Sequence, residues 1–112
     1  MFKNQKVILV MPAYNAAKTL RKTYDEVMEQ NIVDMVILVD DASQDKTRDI
    51  AETLPATKVY THRKNQGYGA NQKTCYKLAL EEGGDIIIMV HPDYQYTPKL
   101  IPAMASIIGN DL

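Results

Sequence analysis

The chain has 112 residues, 46% of them hydrophobic and 24% charged, with a formal net charge of -1. That length holds one domain rather than two, and that balance belongs to an ordinary globular domain. There is no basic excess to grip nucleic acid, and no run approaches the ~18 apolar residues of a membrane span. The single cysteine, Cys75, excludes an internal disulfide and suits a reducing compartment; it reads as a small buried apolar residue rather than a reactive thiol. Met1 to Lys6 leads into an apolar run with no cleavage-site pattern, so a cytosolic start is expected.

Val7 to Val10 is a continuous apolar run of the kind that forms a strand buried on both faces, and Met11-Pro12 follows it. Asn15 is placed to cap a helix from Ala16 to Gln30, whose apolar stripe is Leu20, Tyr24, Val27 and Met28. A second strand is expected from Met35 to Val39, ending in Asp40-Asp41. Ser43 or Asp45 then caps a short helix over Lys46 to Leu54, stopped near Pro55. Lys58 to Thr61 reads as a third strand. A polar loop, His62 to Gly69, leads into a helix over Ala70 to Glu82 with Cys75, Leu78 and Ala79 as its stripe, closed by Gly83-Gly84. The fourth strand is Ile86 to Val90, and Thr97-Pro98 opens a last helix to about Ile108.

Strand and helix alternate four times, which predicts an α/β fold: an open, mainly parallel sheet with flanking helices in a single domain over residues 1–112. Right-handed crossovers and the strand order 3-2-1-4 are expected, with the switch point between strands one and four. Ligands of such sheets sit beyond the carboxyl ends of the strands at that point. Chemistry-bearing residues collect there. Pro12-Ala13-Tyr14-Asn15 follows strand one, and Asp40, Asp41, Ser43 and Asp45 follow strand two. His62, Arg63, Lys64, Asn65 and Gly67 follow strand three, and His91, Pro92, Asp93 and Gln95 follow strand four. The amino ends of the strands carry no comparable set.

Each of these has a use at a nucleotide site. The Tyr14 ring can pack on a base, and the Asp41 carboxylate can accept from a base N–H or a ribose hydroxyl. Gly67 and Gly69 let the backbone approach a bulky ligand at a helix start, where free N–H groups favour phosphate oxygens. Lys64 and Arg63 can add charge-assisted contacts. Asp93 offers hard oxygen to Mg²⁺ or Mn²⁺. Taken singly, each also has a plain structural reading: Asp40-Asp41 as a capped turn, Gly-x-Gly as a tight loop, His91-Pro92 as a strand end. Four consecutive strand ends together make a site the better reading.

Val7 to Leu20 (VILVMPAYNAAKTL) resembles the opening motif of family-2 glycosyltransferases, and Val36 to Thr47 (VILVDDASQDKT) resembles their second motif. His62 to Asn71 (HRKNQGYGAN) is similar to the Asn-x-Gly-x-Gly loop of the polyprenyl-phosphate sugar synthase branch. Ile86 to Pro98 stands where that branch carries an Asp-x-Asp metal motif. The resemblance implies the Rossmann-like half of a GT-A domain, binding a nucleoside-diphosphate sugar for inverting transfer to a polyprenyl phosphate or other glycan or lipid acceptor. It implies nucleobase and ribose contacts at Pro12, Tyr14 and Asp41, with Asp41 favoured over Asp40. A divalent metal is implied at Asp93, and a diphosphate contact at Gln95. His91 replaces the usual first Asp of the metal motif, which weakens the implied metal site; as a softer ligand it suits Mn²⁺ better than Mg²⁺, and a protonated His91 bonding a phosphate is the alternative.

The acceptor-binding strands and general base of that family follow the segment matching the last helix. The 112 residues are therefore expected to bind a nucleotide without completing transfer, to self-associate through strand four or the last helix, and to act at the cytosolic face of a membrane in the full-length protein. A non-catalytic nucleotide-binding module is the alternative. A receiver-like signalling domain would need an Asp where Thr61, His62 and Arg63 stand. A dinucleotide-binding fold would need a glycine-rich turn where Pro12-Ala13-Tyr14-Asn15 stands.

Overall fold

The computed structural model describes residues 4–92. Apolar runs of the sequence form four strands, β1 (Val7–Ala13), β2 (Met35–Asp40), β3 (Thr57–Thr61) and β4 (Ile86–Met89). Between them lie α1 (Leu20–Glu29), α2 (Thr47–Glu52) and α3 (Tyr68–Glu81). The strand order is β3-β2-β1-β4 and every pairing is parallel, as expected. Asp93, Gln95 and the helix expected over 98–108 lie outside the described residues.

All of β1 is buried because it is a central strand covered on both faces. Its odd positions, Val7, Leu9 and Met11, meet Val36 and Leu38 of β2 and Ile86 and Ile88 of β4 in one apolar cluster. Leu20, Tyr24 and Val27 of α1 and Ala51 of α2 close that cluster. Ile8 and Val10 face the other way with Ile37 and Val39, under Cys75 and Ala79 of α3. The chain steps outward from β1 to β3 and then returns across the sheet to β4. One crossover hand therefore puts α1 and α2 on one face and α3 on the other. Cys75 is fully buried, and burial pushes its thiol up to about 12, so it serves as packing.

Pro12 explains where the sheet opens. β1 pairs with β2 as far as Ala13↔Asp40, but with β4 only as far as Val10↔Met89. Val10 accepts from Val90 N at 3.0 Å, so the polar backbone of the even positions faces β4. At the next even position Pro12 has no N–H to donate, and the β1–β4 ladder ends there. On the β2 side Asp41 N still donates to Ala13 O at 2.9 Å. The two neighbours of β1 thus part at the switch point.

Several boundaries differ from the sequence pattern. The first helix begins at Leu20 rather than Ala16, and Asn15 does not cap it. Thr19 is the N-cap residue, and Ala16 to Thr19 form a turn in which Ala16 O accepts from Leu20 N at 2.9 Å. Asn15 takes φ +50 instead, a conformation asparagine tolerates well, and its side chain is used elsewhere. The second helix shortens to Thr47–Glu52, whereas the third starts two residues early, at Tyr68. Gly83 closes α3 as expected: at φ +80 it donates to Leu80 O while Gly84 donates to Ala79 O, each at 3.0 Å.

Candidate functional site

A cavity of about 420 Å³ opens where β1 and β4 part. Pro12, Ala13, Tyr14 and Ala16 line it from the β1 end, and Asp41 from the β2 end. Asn65, Gly67, Tyr68 and Asn71 come from the start of α3, and His91 and Pro92 from the β4 end. This is the carboxyl edge of the sheet at the topological switch point, where open α/β sheets take their ligands.

Three loops make the rim, and side chains of the β2–α2 segment hold them together. Toward the β1–α1 loop, Asn15 N donates to Ser43 Oγ at 2.8 Å, Ala16 N to Thr47 Oγ1 at 2.8 Å and Ala17 N to Asp45 Oδ2 at 3.1 Å. Gln44 N returns a bond to Asn15 Oδ1 at 2.8 Å. Asp40 supports this seam indirectly: Ser43 Oγ donates to its Oδ1, and Ser43 N lies 3.3 Å from Oδ2. Asp45 also accepts from the backbone N–H and hydroxyl of Thr47. Burial alone would raise the Asp45 pKa, but the Thr47 and Ala17 hydrogen bonds outweigh it and hold the carboxyl below the ordinary carboxylate range.

The neighbouring acid faces the opposite way, as consecutive strand residues do. Asp41, 3% exposed, binds the β3–α3 loop. Its Oδ1 accepts from Gln66 N and its Oδ2 from Gly67 N, both at 2.9 Å, and His62 Nδ1 lies 2.9 Å from Oδ1. Asn65 Nδ2 donates to the Asp41 carbonyl at 3.2 Å. Burial would raise this carboxyl's pKa; the Gln66 N–H, the His62 ring and the Gly67 N–H together bring it below the ordinary range. Ionised, it can only accept, so His62 donates from Nδ1. The Nε2 of His62 lies 3.0 Å from Thr74 Oγ1, tying the loop to α3. Gly67 stands at φ +92 as the residue before α3, which a side chain would strain.

Of the expected nucleotide-contacting residues, Pro12, Ala13, Tyr14, Asp41, Asn65 and Gly67 line the cavity. Asn15, Asp40 and Lys64 do not: the first two are spent on the loop seam, and Lys64 is exposed away from the lining. Among the expected metal ligands, His91 lines the cavity, 5% exposed, and Asp93 is outside the described residues. No three His, Cys, Asp or Glu side chains converge on a metal position among the described residues. The Nε2 of His91 is 2.5 Å from the Tyr68 hydroxyl, and the two rings stack with centroids 4.9 Å apart at 18°.

Tyr68 and Asn71 are lining residues that pattern reading passed over. Both belong to the first turns of α3, ahead of the apolar stripe that marks that helix. A signal existed for Tyr68, since an aromatic ring between Gly67 and Gly69 is the only side chain there. Asn71 is 3% exposed and sits on the sheet-facing side of α3, donating to Val39 O at 3.0 Å.

Residues 8–111 match the profile of Glycosyl transferase family 2. The chain is 31% identical over 121 residues to the UDP-N-acetylglucosamine–dolichyl-phosphate N-acetylglucosaminyltransferase of Methanococcus voltae, covering 94% of this chain and 48% of that protein. It is 26% identical over 107 residues to the undecaprenyl-phosphate mannosyltransferase of Micrococcus luteus, covering 92% and 44%. Its fold superposes with a TM-score of 0.68 on a mannosyltransferase of Pyrobaculum calidifontis in complex with GDP-Man and Mn²⁺, at 25% identity over 92% of this chain and 32% of that one. The chain thus spans about half the length of the two relatives matched by sequence.

Proposed function

Because the chain belongs to glycosyl transferase family 2, we propose that its cavity binds the nucleoside-diphosphate sugar donor of a GT-A glycosyltransferase. One observation carries the reading: the cavity lies where β1 and β4 part, and all four strand ends contribute to its lining or to the loops that form it. Tyr14, half exposed, offers a ring face to the base. Asp41 has capacity left. A carboxylate has about four acceptor sites, and among the described residues Oδ1 takes two donors and Oδ2 one, so Oδ2 can accept one more bond from a base N–H or ribose hydroxyl. Asn65 and Gly67 border the same space, at the amino end of a 14-residue helix whose dipole favours phosphate oxygens, the Gly67 N–H itself being taken by Asp41.

A divalent ion would neutralise the diphosphate as it leaves. The described residues do not by themselves fit one, since no three His, Cys, Asp or Glu side chains converge among them and Nε2 of His91 is engaged by Tyr68. In this proposal the ion therefore rests on Asp93. The names of the Methanococcus and Micrococcus relatives favour a polyprenyl-phosphate acceptor for the whole protein, and to this the proposal adds inverting transfer at the cytosolic face of a membrane. Among the described residues no helix is long and apolar enough to cross a membrane.

Calorimetric titration with UDP, GDP and their sugars, with and without Mn²⁺, tests the reading. Binding of one nucleotide series is expected, weakened about tenfold in Tyr14→Ala, the scale of one lost base–aromatic stack. Absence of binding by either series would refute it.

A further inference from the structure

We infer that Tyr68 is a ligand-contacting residue of the cavity, and that His91 is a positioning residue for Tyr68, its Nε2 given to that role rather than to a metal. The inference rests on the nucleotide-sugar reading above and adds a residue to it. Tyr68 lines the cavity with 54% of its surface open, whereas His91 beside it is 5% exposed. An open tyrosine on a helix surface ordinarily samples several rotamers. Here the stacked imidazole and the 2.5 Å contact between the Tyr68 hydroxyl and Nε2 select one. A ring held before the ligand arrives loses little entropy on binding.

The same contact argues against metal binding through Nε2 of His91. A nitrogen that shares a proton with a phenol has no lone pair for a cation through that atom. Among the described carboxylates, Asp41 holds Gln66, Gly67 and His62 and keeps one acceptor place on Oδ2, and Asp40 on the opposite face of the strand holds Ser43. Position favours the nucleoside as the moiety met by Tyr68. Gly67, the preceding residue, is bound directly to the Asp41 carboxylate, and Tyr14 reaches the same cavity from another loop. Two aromatic side chains from separate loops then meet one flat ligand.

The test is titration of the 112-residue chain with UDP, GDP and Mn²⁺ separately. The variants are Tyr68→Phe, Tyr68→Ala, His91→Phe, His91→Ala and Tyr68→Ala/His91→Ala. Tyr68→Ala is expected to weaken the nucleotide about tenfold, as loss of a base–aromatic contact does. Tyr68→Phe should cost about threefold, because the stack survives without the hydroxyl. Substituting His91 should weaken the nucleotide in the Tyr68 background and add nothing in the Tyr68→Ala background, since a positioning residue acts through the residue it positions. Mn²⁺ affinity should not change in His91→Ala. His91→Phe keeps a ring in the buried place should His91→Ala fail to fold.

Wild-type nucleotide affinity in Tyr68→Ala, or a tenfold loss of Mn²⁺ affinity in both His91→Ala and His91→Phe with Tyr68 in place, would overturn the inference. If the wild type binds neither nucleotide, the parent reading fails and the ligand role of Tyr68 with it. The pairing is then read separately in the ¹⁵N shifts of the His91 ring. These move in Tyr68→Phe if the hydroxyl holds Nε2, and stay in place if the pairing is wrong.

Discussion

The two seams that join the rim loops use adjacent acids in opposite ways. Toward the β1–α1 loop, four bonds are spread over Asn15, Ser43, Asp45 and Thr47, and Asp40 only steadies Ser43 from behind. Toward the β3–α3 loop, two backbone N–H groups and a histidine converge on the single carboxylate of Asp41. A distributed seam loses one bond with each substitution; a concentrated one loses three at once, keeping the Asn65 bond to the Asp41 carbonyl. The concentrated seam is also the one that borders the cavity, so ligand binding and loop order meet in one side chain there.

The largest expected effect is therefore at Asp41. Replacing it by alanine leaves Gln66 N, Gly67 N and the His62 ring without their acceptor, and should cost about 3 kcal/mol in urea denaturation. It should abolish nucleotide binding as well, through the disordered loop and not only through the lost ligand contact. Asp41→Ala alone thus cannot assign a base contact, and Tyr14→Ala is the cleaner probe. The comparison of seams breaks if Asp41→Ala costs no more than a substitution in the distributed seam.

Acid sharpens the same comparison. The folded pKa of Asp41 is depressed, so the unfolded chain binds more protons as pH drops. The stability this carboxylate contributes is present above the ordinary value of about 4, and is lost as pH falls through the folded value. Asp45 follows the same sign, with one bond across its seam instead of three. The denaturation midpoint of the wild type should fall steeply below about pH 4, and Asp41→Asn should flatten that slope more than Asp45→Asn. Equal slopes in the two variants would mean the seams do not differ as described.

Much of this arrangement is legible in the sequence, and the illegible part has a common cause. The four strands declare themselves as apolar runs, and their alternation with helices specifies the parallel order observed. The polar clusters after each strand mark the edge that carries the cavity. Hidden from sequence is what those polar groups bind, because their partners are distant in the chain: Gln66 and Gly67 lie 25 and 26 residues beyond Asp41, and Ser43 lies 28 beyond Asn15. Asn15, Ser43 and Asp45 have the composition of helix caps, and only the fold reveals that Asn15 and Ser43 cap a neighbouring loop instead. Tyr68 escapes periodicity because it precedes the apolar stripe of α3, and its pairing with His91 spans 23 residues.

Within the distributed seam, Thr47→Val should have the largest effect of any single change. Thr47 is fully buried, and valine preserves its shape while leaving Ala16 N without an acceptor and taking the hydroxyl donor from Asp45 Oδ1, which keeps its bond from Thr47 N. The cost of one orphaned buried N–H is about 1–2 kcal/mol, with nucleotide affinity nearly retained because the other three bonds keep the loop in place. A loss as large as that of Asp41→Ala would show that this seam is concentrated too.

The smallest expected effect has the opposite sign and sits between the seams. Ala42 joins Asp40-Asp41 to Ser43 with φ +59, a left-handed conformation in which the Cβ crowds the following carbonyl. That turn directs the chain from Asp41 toward Ser43, so both seams depend on it. Glycine at this position removes a strain of about 1 kcal/mol and adds back a large part of it in unfolded-chain entropy. Ala42→Gly should therefore stabilise the chain by a few tenths of a kcal/mol, read as a small rise in denaturation midpoint with unchanged slope. The sign is the informative part. If glycine destabilises, the alanine methyl contributes packing that outweighs its backbone strain, and the turn between the two acids is held by its own contacts rather than imposed by the seams on either side.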